Sequence, residues 1–322
     1  MEISAIQTMA AELKSNVNNV IVGKSEVVDQ LLVALIASGH VLLEDVPGTG
    51  KTLLAKSLAT SLSCSFNRVQ FTPDLLPSDV TGLSIYRTQT GEFEFQPGPV
   101  FTNILLADEI NRATPRTQSS LLESMEERQV TIDGTTRQLE QPFMVIATQN
   151  PIESQGTFPL PEAQLDRFFL KIKMGYPSTE EGIEILRRFK QTNPLTNLDA
   201  VIDKGLLIKA QDVFTAVYVS EELLAYVVGI VEESRNHKDV LIGVSPRGSQ
   251  ALLRAIQAYA AINGRDYVQP DDVKAMAASV LSHRLVLKPM ASRVNNGADT
   301  VINDLLNTVT VPTEAVLSER LQ

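Results

Sequence analysis

Short apolar runs recur along the first half of the chain at His40–Glu44, Asn67–Phe71, Asn103–Ala107, Phe143–Thr148 and Phe168–Ile172, with helical segments or insertions between them. Apolar strands are covered on both faces, and strands that alternate with helices connect in parallel. The pattern therefore predicts an α/β fold with a mostly parallel sheet between helical layers. The first run leads into Glu44-Asp45-Val46-Pro47-Gly48-Thr49-Gly50-Lys51-Thr52. A strand that stops at a glycine-rich turn and resumes as a helix presents backbone N–H groups to an anion. The spacing fits the phosphate-binding pattern G-x-x-x-x-G-K-[ST], with Asp45 standing where the first glycine belongs. Aspartate tolerates turn conformations, so the departure is expected to leave the turn intact.

Around this frame the apolar positions Ile3, Ile6, Met9, Leu13 and Val17 predict a packing helix over 2–19, and a second helix is expected at about 25–37. Residues 83–97 alternate around Thr90-Gly91, and 130–139 alternate around Asp133-Gly134, so both read as β-hairpins projecting from the sheet. From Pro177 onward helical periodicity dominates, with helices expected near 179–191, 220–236, 246–262, 270–283 and 297–308. Two domains follow for a chain of 322 residues, an α/β core over 1–176 and an all-α domain over 177–322.

Composition removes several classes. One cysteine, Cys64, rules out an internal disulfide and reads as a small core residue. With only His40, His237 and His283 beside it, a Cys/His metal site is not expected, and His283 reads as structural. No window approaches a membrane span and the N-terminus lacks a signal-like apolar run, so a cytoplasmic protein is expected. Net charge is −10 and tryptophan is absent, which argues against nucleic acid as the main partner.

In the glycine-rich loop, Gly48 and Gly50 let the backbone cradle phosphate. Lys51 reaches the β- and γ-phosphates, and the Thr52 hydroxyl is placed for Mg²⁺. The nucleotide-binding segment is taken as Val46, Pro47, Gly48, Thr49, Gly50, Lys51, Thr52 and Leu53. A second apolar strand ends in Asp108-Glu109, which sets Asp108 near the metal and leaves Glu109 to polarise the attacking water. A third exits at Asn150, an amide able to position that water. Arg167, ahead of the last strand, is either a phosphate contact, donated from a neighbouring subunit, or an ion-pair partner of Asp166 or Glu162. Arg247, at the helix start Ser245-Pro246-Arg247, is open in the same way, as a γ-phosphate sensor or a structural ion pair.

Taken together these residues resemble an AAA+ ATPase: Walker A at Lys51 and Thr52, Walker B at Asp108-Glu109, sensor 1 at Asn150, an arginine finger at Arg167 and sensor 2 at Arg247. The stretches LLEDVPGTGKT, LLADEINRATPRTQSSLLESMEERQVTIDG, ATQNPIESQGTFPLPEAQLDRF and SPRGSQALLRAIQA are similar to the MoxR family, whose members often carry the same Asp-Val-Pro-Gly start. The resemblance spans about 20–285 and implies a P-loop αβα core with β-hairpin insertions and a helical lid. It also implies a hexameric ring with ATP and Mg²⁺ at subunit interfaces, and Arg167 supplied in trans. Arg247 stays open between its own site and a neighbour's. Val22-Gly23 resembles the segment that reads adenine. The resemblance further implies chaperone-like remodelling of protein clients, von Willebrand factor A domain proteins among them, and aid in metal or cofactor insertion. The alternative is a nucleic-acid motor, since replicative helicases carry similar hairpins.

Overall fold

The computed structural model describes residues 2–46, 48–150, 156–190, 193–292 and 297–312. Two helices open it, α1 (Ile3–Asn18) and α2 (Ser25–Ile36), with Ile6, Met9, Leu13 and Val17 of α1 buried on one side as their spacing requires. β1 (Val41–Glu44) then feeds the glycine-rich loop and α3 (Lys51–Ser61). β2 (Phe66–Gln70) and the short α4 (Pro77–Thr81) lead to the first hairpin, β3 (Gly82–Arg87) and β4 (Glu92–Pro97). β5 (Ile104–Asp108) and α5 (Pro115–Glu127) precede the second hairpin, β6 (Gln129–Ile132) and β7 (Thr135–Gln138). β8 (Met144–Gln149), α6 (Glu162–Leu165) and β9 (Leu170–Ile172) complete this half.

The sheet is parallel throughout, in the order β2-β5-β8-β1-β9, with Val41 opposite Ile146 on one side and Leu170 on the other. Side chains alternate between two buried faces. Val41 and Leu43, Ile104 and Leu106, and Met144 and Ile146 join the hydrophobic cluster that holds α1, α2 and α3. Leu42, Leu105, Ala107, Val145 and Ala147 join the cluster on the other face, beneath α5. Both faces are therefore apolar along the central strands.

β2 departs from this pattern. It lies at the edge of the sheet, where Val69 is buried while Arg68 and Gln70 are exposed. Its sequence is thus a half-polar strand that ends in the cleft described below, and only one of its faces needs apolar residues.

Beyond β9 come α7 (Thr179–Phe189), α8 (Lys204–Val213), α9 (Glu221–Asn236), β10 (Val240–Ile242), α10 (Pro246–Ile262), α11 (Pro270–Leu281), β11 (Val286–Leu287), α12 (Pro289–Ser292) and α13 (Gly297–Thr308). This half is not purely helical, because β10 and β11 pair antiparallel, and α8 and α12 are elements the periodicity did not announce. Helix α10 packs against both α1 and α2, so one hydrophobic cluster runs from Ile6 through the upper face of the sheet to Leu305. Polar ties cross the same seam: Arg254 donates to the carbonyl of Ala37, and Arg188 donates to those of Asn18 and Asn19.

His40 sits fully buried ahead of β1. Its Nδ1 accepts from the Val145 amide, so Nε2 carries the proton and donates to the Met125 carbonyl, and burial holds its pKa down at about 4. His283 is likewise buried, against the Phe168 carbonyl. Cys64 is only half-buried, packed against the edge of the larger cluster, and burial pushes its thiol up to about 11. The run Ser292–Asn296, whose sequence reads as a helix-start loop, lies outside the described residues after Ser292.

Candidate active site

The turn between β1 and α3 owes its shape to its two glycines. Gly48 and Gly50 have φ of 84° and 90°, and a Cβ at either would meet nothing within 4 Å. The space beside them is open, as a cradle for an anion requires, and α3 begins there with the unpaired N–H groups of its first turn. Asp45 stays outside the left-handed region. It is buried, and its Oδ1 accepts from the Val46 amide at 2.8 Å, so the aspartate braces the turn where the pattern has glycine. Lys51 Nζ donates to the carbonyls of Asp45 (2.9 Å) and Val46 (3.1 Å), and Thr49 Oγ1 donates to Val46. Pro47 lies outside the described residues.

A cavity of about 440 Å³ opens at this turn, lined by Gly48, Gly50, Lys51, Thr52, Leu53, Arg68, Gln70, Asp108, Glu109, Thr148 and Asn150. Residues far apart in sequence thus meet because β1, β2, β5 and β8 all end on the same edge of the sheet. Asp108 Oδ2 is ion-paired with Arg68 at 2.6 Å, and its Oδ1 accepts from the Thr148 hydroxyl at 2.6 Å. Glu109 adopts a left-handed backbone, φ 55° and ψ 49°. Its amide donates to Thr148 Oγ1 at 2.8 Å, and its carboxylate is held by Gln70 (2.8 Å) and Arg112 (3.0 Å). Asn150 is buried at the exit of β8. Arg68, Gln70 and Thr148 are cleft residues that sequence reasoning missed. The available signals were the polar alternation Arg68-Val69-Gln70 and a threonine ending an apolar strand.

A larger cavity, about 930 Å³, lies on the far side of β1 and is lined by Val46, Lys171, Lys173 and Asp299 among others. Two lysines there face four carboxylates, Glu44, Asp45, Glu162 and Asp299, so its chemistry suits an anionic phosphate less well than the glycine-rich cleft does. Val22 and Gly23 line neither cavity. Gly23 lies against Glu181 of α7, and the neighbouring Lys24 donates to the Tyr176 carbonyl.

The two remaining arginines also stand apart from the cleft lining and converge on a single carboxylate. Arg167 Nε is 3.0 Å from Glu126 Oε2, and Arg247 donates to Glu126 Oε1 at 3.1 Å. The ion-pair alternatives for Arg167 at Asp166 and Glu162 are therefore replaced by Glu126. Asp166 pairs instead with the buried Arg284, at 2.7 Å. Arg284 also donates to the Phe168 and Phe169 carbonyls, so it pins the backbone that carries Arg167.

The family described as ATPase family associated with various cellular activities (AAA) matches residues 40–170, and the AAA lid domain matches 232–305. Among relatives, YeaC of Bacillus subtilis is 51% identical over 93% of each chain. Chaperone MoxR1 of Mycobacterium tuberculosis is 45% identical over 92% of this chain and 80% of its own, and protein MoxR of Paracoccus denitrificans is 33% identical over 86% and 88%. A crystal structure from Cytophaga hutchinsonii, provisionally called an ATPase, superposes with a TM-score of 0.89 at 39% identity, covering 96% of both chains.

Proposed function

The chain belongs to the MoxR family of AAA+ ATPases and hydrolyses ATP, and from that membership we propose that it works in the cytoplasm as a ring whose nucleotide sites are shared between subunits and whose turnover remodels protein clients. One observation carries the shared-site reading: the cleft gathers Lys51, Thr52, Asp108, Glu109 and Asn150, while Arg167 and Arg247 lie together outside its lining. In this reading Lys51 leaves the loop carbonyls to pair with phosphate, and Asn150 orients the attacking water for Glu109. Arg167 and Arg247 serve the neighbouring subunit's cleft.

The oxygen donors Thr52 and Asp108, both in the cleft lining, suit a hard divalent cation, so these are the residues assigned to Mg²⁺, which when bound would offset phosphate charge. Protein clients, with von Willebrand factor A domain proteins the class to test first, are favoured over nucleic acid by the hairpins. Their two arginines, Arg87 and Arg137, are outnumbered by Glu92, Glu94 and Asp133, and Arg87 is ion-paired with Glu94 at 2.6 Å, so the hairpins present no basic cluster to a phosphate backbone. No described helix is long and apolar enough to cross a membrane.

Titration with a fluorescent ATP analogue and steady-state hydrolysis test the assignments. Lys51→Ala is expected to lose nucleotide binding, whereas Glu109→Gln binds ATP and loses at least about a hundredfold in kcat. Arg167→Ala keeps binding and loses hydrolysis. Mixing it with Glu109→Gln restores activity, because the mixed ring pairs an intact cleft with an intact arginine. No recovery in rings proven mixed by native mass spectrometry would sink the shared site, and strong salt-sensitive stimulation by DNA would sink the protein-client reading.

A further inference from the structure

Glu126 occupies the last turn of α5, a helix of 13 residues that begins just beyond the turn following Glu109. At 1.5 Å per residue the helix spans about 18 Å, so Glu126 stands at the end away from the cleft of its own chain. There it meets two guanidinium groups from distant parts of the sequence. Arg167 arrives on the segment between α6 and β9, and Arg247 on the first turn of α10. Arg247 also sits at the positive end of a helix dipole, where a cation is disfavoured. Two arginines side by side repel each other, and the same carboxylate relieves both, giving one oxygen to each.

The three side chains are partly open to solvent, Arg167 at 30%, Arg247 at 48% and Glu126 at 34%. The nearby Arg284 is 3% exposed and engaged by Asp166 and backbone carbonyls. The cluster thus has a buried member that fixes the backbone and an outward pair joined through Glu126.

We propose that Glu126 is a positioning residue that holds Arg167 and Arg247 at a fixed spacing, so that they reach a neighbouring subunit's phosphate as one preorganised pair. The proposal rests on the reading of those arginines as contacts made across the subunit interface. A guanidinium that keeps one N–H on Glu126 still has donors for phosphate, and planar, forked donors lose effectiveness steeply when misplaced.

The test compares Glu126→Ala and the shape-preserving Glu126→Gln with wild type. Both are expected to hydrolyse ATP roughly ten- to a hundredfold more slowly, with KM for ATP changed by less than about threefold, because the cleft of each chain is intact. Mixing Glu126→Ala with Glu109→Gln restores activity, since the second chain lends an ordered arginine pair to the first chain's cleft. Hydrolysis at or above the wild-type rate in both variants overturns the proposal, as does a loss that Glu109→Gln does not rescue although it rescues Arg167→Ala. If Glu109→Gln rescues neither, the shared-site reading itself fails and takes this inference with it.

Discussion

His40 illustrates how much one side chain decides. Its imidazole is neutral in the folded chain, with a pKa of about 4 against an ordinary value of 6.5. Above pH 6.5 it is neutral both folded and unfolded, and its stabilisation is fully present. As pH falls from 6.5 to 4 the unfolded chain takes up a proton that the folded chain refuses, so stability declines by up to about 3 kcal/mol. Urea unfolding across this range is expected to show a steeper loss in wild type than in His40→Gln, by the slope of one proton. Equal slopes would contradict the assignment. At the same scale the cleft was legible where its residues stand in local motifs. Lys51, Asp108, Glu109 and Asn150 stand in motifs and line one cleft. Arg68, Gln70 and Glu126 were not legible, because what they touch comes from other strands and helices, and no local spacing records those partners.

Elements were legible in proportion to their length. The alternation at 83–97 and 130–139 predicted both hairpins, and the 3.6-residue period predicted α9, α10 and α11. α8 escaped because three consecutive apolar residues, Leu206, Leu207 and Ile208, blur the period just after Gly205. β10 and β11 are three and two residues long and exist only through each other. The first hairpin depends on backbone contact at its base. Gly82 has φ of 92°, and a Cβ there would come within 2.4 Å of the Gln96 carbonyl oxygen and 2.6 Å of the Gly98 amide nitrogen. Gly82→Ala is therefore expected to lower Tm by several degrees, on the order of 2 kcal/mol, and to open 83–97 to protease. Gly91, at the tip, also has positive φ, but its nearest neighbour is the Tyr86 hydroxyl at 3.9 Å. Gly91→Ala should cost about 1 kcal/mol from conformation alone. Equal effects would mean that the crowding at Gly82 is relieved elsewhere.

For the whole molecule, the hydrophobic cluster that joins α1 and α2 to α10 and α13 makes the two halves interdependent. Removing residues 177–322 would uncover the faces of α1 and α2 that pack against α10. A fragment of residues 1–176 is expected to aggregate or remain molten, and the intact chain to unfold in one calorimetric transition with matching van't Hoff and calorimetric enthalpies. Two separated transitions, or a soluble cooperative fragment, would show that the seam contributes little.

The same seam bears on how such chains diversify by descent. A crossover within it would join surfaces shaped by different ancestors, and both halves would have to be re-fitted at once. Residues 83–97 contribute no side chain to either hydrophobic cluster. Its ring contacts with the rest run through Phe95, against Phe101 and the Arg137 guanidinium, so related lineages could remodel the hairpin around that one anchor while the ATP-hydrolysing body passes on as one heritable unit.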